Sequence, residues 1–140
     1  MIVYLDSSVI LGRLLDQKHI LPGWGEWSEV WTSELTWVEC FRKADHLRLQ
    51  HQFDDHEISI FVQELDQLLG SVGEIALDGS VLRRASQSYP TVVGTLDAMH
   101  LASAVLWQEE TGRKICFLTH DIRQGLGAKA MGLETQGFKA

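Results

Sequence analysis

The sequence is poor in cysteine and has no long apolar run. Its two cysteines, Cys40 and Cys116, are far apart and form no Cys-x-x-Cys pair, which suits a reduced, intracellular protein with buried thiols. No run approaches the roughly 18 apolar residues that a membrane-spanning helix needs. The N-terminus lacks a basic segment and Asp6 interrupts its apolar run, so no signal peptide is expected. These absences predict a cytoplasmic protein with no membrane association.

Positive charge is also scarce. Lysine and arginine number 12 against 19 aspartates and glutamates, which gives a net charge of −7. A protein that holds nucleic acid by charge alone is usually basic, so this composition excludes a general nucleic-acid coat protein. It does not exclude a metallonuclease, because the acids of such an enzyme are its metal ligands.

Short apolar segments with strand character alternate with segments of helical period. The predicted strands are Ile2–Leu5, Val30–Thr32, Val72–Leu77, Ile115–Leu118 and an edge strand near Glu134–Phe138. This alternation predicts an α/β fold with a parallel sheet of four to five strands covered by helices on both faces. No repeat, linker or low-complexity tract is present, so residues 1–140 are expected to form a single domain.

Several residues signal where the predicted helices begin and end. Ser33 and Thr95 precede apolar helical patterns and are expected to cap them. Gly70 and Gly112 follow such patterns and are expected to end them.

Three acids lie at or near the junctions where predicted strands lead into helices: Asp6, Glu39 and Asp121. A fourth, Asp97, lies in the first turn of the long helix before the fourth strand, and only the start of that helix can bring it to the same place. In a parallel sheet these junctions share one edge, where the functional crevice lies. Each acid also has a simpler explanation. Asp6 and Asp121 could cap helices, Glu39 could complete a capping box with Thr36, and Asp97 suits a first helical turn.

Together the four carboxylates predict a metal site. They would repel one another unless a cation neutralised them, and hard oxygen ligands favour Mg²⁺ or Mn²⁺. Such a site supports metal-assisted hydrolysis of phosphodiesters, with no need for a protein nucleophile. The predicted catalytic residues are therefore Asp6, Glu39, Asp97 and Asp121.

Four segments around these acids resemble the acidic motifs of PIN-domain nucleases. They occur in the family's order, cover nearly the whole chain, and are Tyr4–Ser8, Ser33–Glu39, Leu96–Ala102 and Leu118–Asp121. The likeness is greatest to the VapC toxins of toxin–antitoxin pairs. Trp37 is bulkier than is usual for the second motif.

The resemblance implies a three-layer α/β/α fold, RNA cleavage with Mg²⁺ or Mn²⁺, a small VapB-like antitoxin as inhibitor, and a homodimer. It also implies a role for each acid. Asp6 and Asp97 would be the main metal ligands, Asp121 would help to bind the metal, and Glu39 would position or deprotonate the attacking water. Ser7, Ser8 and Thr119 would form hydrogen bonds to the acids or to the hydrated metal.

Two other functions are compatible with parts of the sequence. Asp6 could be the nucleophile of a phosphatase or phosphotransferase, although the second acid two residues later that one such class needs is replaced by Ser8. The chain could also be a PIN-like module that binds without catalysis, although all four acids are intact.

The histidines and tryptophans allow further alternatives. The spacing of five between His46, His51 and His56 gives no common helix face, which argues against zinc. His100 is either a partner of the Asp97 face or a core histidine. The tryptophans at positions 24, 27 and 31 form a cluster in sequence that fits core packing or a groove for a partner.

Overall fold

The structure is a computed structural model that describes residues 1–15 and 21–139. Within these residues the chain forms five strands: β1 Ile2–Leu5, β2 Glu29–Ser33, β3 Gly73–Ile75, β4 Cys116–Leu118 and β5 Glu134–Gln136. The same residues form six helices: α1 Ser7–Leu15, α2 Glu34–Leu49, α3 Asp55–Gly70, α4 Gly79–Ala85, α5 Thr95–Thr111 and α6 Ile122–Ala130.

The strands form one sheet in the order β3-β2-β1-β4-β5, and all neighbours pair in parallel. The chain adds β2 and β3 on one side of β1 and then crosses to add β4 and β5 on the other. In sheets of this kind the ligand crevice lies at the carboxyl ends of the strands, where the order reverses. Here that point is the junction of β1 and β4. The predicted parallel sheet is confirmed, with five strands.

Alternating residues of the central strands face two separate cores. Val3 and Leu5 of β1 pack with α1, α2 and α3, whereas Tyr4 packs with α5 and α6 on the other face. Every one of these three strand residues is fully buried. A parallel strand that is covered on both faces reads as a continuous apolar run, as β1 does in the sequence. The predicted three-layer α/β/α arrangement is therefore confirmed.

Three of the four helix-end predictions agree with the structure and one is wrong. Ser33 caps α2 by accepting the Leu35 N–H, and Gly112 ends α5 in the left-handed region at φ 67°. Gly70 is the last residue of α3, although its backbone is ordinary helix and Ser71 is the cap. Thr95 is already helical, because Gly94 occupies the cap position and offers no side chain.

Three predicted strands, Val72–Leu77, Ile115–Leu118 and Glu134–Phe138, are longer than the strands observed. The Val72–Leu77 segment pairs only over Gly73–Ile75, since the Leu77 N–H donates to the Glu34 carboxylate instead of to the sheet. At Gly73 a side chain would meet the Trp31 ring, with the added Cβ only 2.6 Å away. None of the helices in the described part of the chain is long and apolar enough to cross a membrane.

Candidate active site

The structure brings the four sequence-predicted acids to the carboxyl edge of the sheet. Asp6 directly follows β1 and Asp121 directly follows β4, so these two border the switch point. Glu39 lies in the second turn of α2 and Asp97 in the first turn of α5. Their charges interact, because Asp121, Asp6 and Glu39 all contribute to raising the pKa of Asp97.

Asp6 lies at the centre of a hydrogen-bond network that joins the ends of β1 and β4. Its carboxylate is 3% exposed, and Oδ2 accepts from the Ser8 hydroxyl at 2.5 Å and the Thr119 hydroxyl at 2.9 Å. The same hydroxyls continue outward: Ser8 accepts the His120 N–H at 3.0 Å, and Thr119 accepts the Asp121 N–H at 3.1 Å. The network fixes the orientation of Asp6.

Glu39 is held by a buried histidine. His100, which is 1% exposed, directs Nε2 to Glu39 Oε1 and lies 3.7 Å from Asp6 Oδ1. A carboxylate only accepts, so Nε2 carries a hydrogen, and Nδ1 shares a hydrogen bond of 2.6 Å with the Tyr4 hydroxyl. Burial alone would lower the pKa of His100, but the hydrogen bond to Glu39 and the charges of nearby carboxylates outweigh it and raise the pKa. Of the two sequence interpretations of His100, the structure supports the partner of the acids.

Asp97 has fewer compensating contacts than Asp6. Burial raises its pKa first, and the charges of Asp121, Asp6 and Glu39 raise it further, while His100 lowers it. The α5 N-terminus is capped by Gly94 without a side-chain hydrogen bond, so Asp97 is not the cap of its helix. Its ionised form is therefore costly in this arrangement.

Gln124 contacts three of the four acids and was not identified from the sequence. Its backbone N–H donates to Asp121 Oδ1 at 3.0 Å. Carboxylates can only accept, so the side-chain amide is assigned with its nitrogen toward them, 3.2 Å from each Asp6 oxygen and 3.3 Å from Asp97 Oδ1. The two amide hydrogens are shared among these three oxygens. The side chain is 1% exposed. The one signal in the sequence is its place three residues after Asp121.

The simpler explanations of the acids are correct in part. Asp121 does cap α6 through the Gln124 N–H, and Asp6 accepts weakly from the Ser8 N–H at 3.4 Å. The Thr36–Glu39 capping box is wrong, because α2 begins earlier and Ser33 caps it. The Thr36 hydroxyl instead contacts the Thr32 hydroxyl within the core.

The three tryptophans that are close in sequence do not form a single cluster in the structure. Trp24 and Trp27 pack edge to face at 5.1 Å on the α1–α3 side, where Arg13 covers the Trp24 ring. Trp31 belongs to the opposite core and packs on Trp107 at 5.8 Å. Only Trp31 lies in a strand, β2, where alternation turns it away from the core that its neighbour Val30 contacts.

The chemistry of the donor set fits a hard divalent cation, although no ready-made cage exists. Within residues 1–15 and 21–139, no three His, Cys, Asp or Glu side chains are already arranged to bind a metal. The four acids nevertheless supply only oxygen ligands, and the raised pKa of Asp97 marks carboxylate charge that the surrounding protein leaves uncompensated. Mg²⁺ and Mn²⁺ prefer such ligands.

Residues 3–124 match the model of the protein family described as the PIN domain. The matched range contains all four acids, His100 and Gln124. A comparison with curated proteins found no match to this chain. Because the family match spans most of the sequence, the chain belongs to the PIN domain family, whose members are typically nucleases that use divalent metal ions.

Proposed function

We propose that this protein is an Mg²⁺- or Mn²⁺-dependent endoribonuclease that acts as the toxin of a type II, VapBC-like toxin–antitoxin pair. The observation that supports it best is the convergence of carboxylate charge on Asp97, whose pKa is raised by burial and then by three other acids. Such convergence is unfavourable in a protein that has no cation to bind there.

Each acid receives a role that agrees with its surroundings. Asp6, Asp97 and Asp121 would hold the cation through carboxylate oxygens. A bound divalent cation lowers the pKa of a water molecule and polarises the phosphoryl oxygen. Glu39 would orient the attacking water and accept its proton. Its hydrogen bond from His100 keeps the carboxylate directed into the site.

The surroundings of Asp6 disfavour the alternative in which Asp6 is a phosphatase nucleophile. Its Oδ2 already accepts two hydroxyl hydrogen bonds, and its side chain is almost completely buried. A nucleophilic carboxylate must let a phosphoryl group approach one of its oxygens in line, which is harder at a buried carboxylate than the approach of a small cation. The binding-module alternative differs from a nuclease only in activity, so the same assay separates the two.

A test of the activity uses purified protein, total RNA and Mg²⁺ or Mn²⁺, with and without EDTA. Cleavage should require the cation and leave a 5′-phosphate and a 3′-hydroxyl, because water is the nucleophile. Asp97→Asn should abolish cleavage. Asp78→Asn, at a helix cap outside the site, should retain it.

Two results would contradict this mechanism. Full activity in EDTA would exclude the cation, and products with a 2′,3′-cyclic phosphate would show that the RNA hydroxyl is the nucleophile. Complete absence of cleavage on all RNAs would leave the binding module as the better description.

The proposed partners are a small VapB-like antitoxin and a second copy of this chain in the cytoplasm. Exposed apolar side chains flank three of the acids in sequence: Val38 at 59%, Leu96 at 49% and Ile122 at 50% exposure. Contiguous exposed apolar patches are typical of a surface that a partner covers, and we propose that these three side chains belong to one. Trp24 and Trp27 form a second candidate surface for binding a partner.

Co-expression with the neighbouring small protein, followed by affinity purification and measurement of mass, tests both partners. Retention of the small protein and a mass of at least two toxin chains are expected. A monomeric toxin with no retained partner would contradict the toxin–antitoxin proposal without affecting the nuclease proposal.

A further inference from the structure

Gln124 donates hydrogen bonds where the proposed cation would be bound. Both Asp6 oxygens lie 3.2 Å from the Gln124 amide nitrogen. Oδ2 also accepts from the Ser8 and Thr119 hydroxyls, whereas Oδ1 has no further hydrogen bond within the described residues and lies 3.7 Å from His100 Nε2. Oδ1 is therefore the Asp6 oxygen with most capacity for a cation, and the Gln124 amide contacts it.

The same amide also reaches Asp97. Its nitrogen lies 3.3 Å from Asp97 Oδ1 and 3.2 Å from each Asp6 oxygen, so one neutral donor connects two carboxylates that repel each other. Hydrogen bonds to the charged form of a carboxylate stabilise that form. A buried amide in this position reduces the repulsion, as a cation would, but without a positive charge.

We infer that Gln124 is a positioning residue that replaces the cation in the cation-free protein and competes with it for the oxygens of Asp6 and Asp97. This inference rests on the proposed cation-dependent function. Gln124 stabilises the cation-free site and weakens cation binding, since the amide must give up the oxygens that the cation takes. Removing the amide has opposite effects on the two states.

The test compares Gln124→Met with Gln63→Met. Methionine keeps the length of the side chain and removes the donors, and Gln63 is an exposed residue of α3 far from the acids in sequence. In EDTA, Gln124→Met should melt about 4 °C or more below wild type. Saturating Mg²⁺ should narrow this gap, and calorimetry should show Mg²⁺ binding about tenfold tighter. Gln63→Met should match wild type throughout.

Two outcomes overturn the inference, and they distinguish a failure of the Gln124 role from a failure of the proposed cation site. If Mg²⁺ stabilises wild type but the gap to Gln124→Met stays constant and the Kd is unchanged, Gln124 is a packing residue only. If Mg²⁺ changes neither the melting temperature nor the heat of any variant, the proposed cation site itself fails as well.

A measurement on wild type remains decisive if Gln124→Met does not fold. In the ¹⁵N-labelled protein, the side-chain amide resonances of Gln124 should shift when Mg²⁺ is added, because the amide loses its carboxylate acceptors. Resonances of Gln63 should not shift. If Mg²⁺ binds and the Gln124 resonances do not move, the inference is wrong.

Discussion

Asp6 and Asp97 both contact Gln124, yet the protein surrounds the two carboxylates differently. Asp6 is buried at the end of a central strand and accepts hydrogen bonds from two hydroxyls as well as from the amide. Asp97 lies at a helix end that has no side-chain cap. Within the described residues, the Gln124 amide is the side-chain donor that reaches its carboxylate. The pKa of Asp97 is raised by burial and by its acidic neighbours.

The difference teaches that two acids of one proposed site can affect stability with opposite signs. Asp6 is part of the structure that joins β1 to β4, so its charge is compensated locally. Asp97 has little compensation, which is the pattern expected of a group kept for function at a cost in stability. Four measurements test whether Asp6 and Asp97 are compensated differently.

The largest expected effect is stabilisation by the cation. A bound cation would compensate Asp97 as the hydroxyls compensate Asp6. Mg²⁺ at about 100 times its Kd should therefore raise the free energy of unfolding of wild type by about 2.7 kcal/mol. Asp97→Asn should gain clearly less. Urea denaturation with EDTA and with excess Mg²⁺ measures both, and equal gains would mean that Asp97 does not bind the cation.

The next effect is the loss of the Asp6 network. Asp6→Ala removes the acceptor of the Ser8 and Thr119 hydroxyls and should destabilise the protein in EDTA by about 2 kcal/mol. Asp97→Ala is the matched variant and should lose little or nothing. If both variants unfold at the same urea concentration, the two carboxylates are compensated equally and the comparison fails.

Asp121 is intermediate, because it is a helix cap and also a neighbour of Asp97. Asp78 caps α4 by accepting the Val81 N–H at 3.0 Å, and Asp121 caps α6 by accepting the Gln124 N–H at the same distance. Asp78 is therefore the matched control for Asp121. Asp78→Ala should cost about 1 kcal/mol. In EDTA, Asp121→Ala should cost less, because it also relieves repulsion. A larger loss for Asp121→Ala in thermal or urea melts would contradict this.

The smallest expected effect is the change in melting temperature caused by Asp97→Asn, and its sign separates two explanations of Asp97. Asp97→Asn removes the charge of a carboxyl group whose pKa is raised in the folded state. It keeps a side-chain oxygen that can accept a hydrogen bond from the Gln124 amide. In EDTA near neutral pH it should therefore melt at the same temperature as wild type or slightly above it. If Asp97 mainly stabilised the helix N-terminus, the substitution would instead cost about 0.3–1 kcal/mol. A clear drop in melting temperature supports that second explanation.

Much of the fold could be predicted from local patterns. The apolar run of β1, the helical period of α3 and the caps at Ser33 and Gly112 are set by residues close in sequence, and all agree with the structure. The differences are also instructive. Gly70 and Thr95 have the right residue types at helix ends, but neighbouring residues provide the caps.

Local sequence patterns specify the order of strands and helices, the family resemblance and the placement of Asp6, Glu39 and Asp121 near strand-to-helix junctions, because strand ends and motif spacing are local properties. The packing of the layers decides that Asp97 joins them and which neutral groups hold the four acids. Tyr4 and His100 are separated by 96 residues, and Thr119 is 113 residues from Asp6. Gln124 reaches Asp6 and Asp97 only because α6 and α5 pack against the same edge of the sheet. Such contacts depend on how the layers pack, and no pattern of neighbouring residues specifies them.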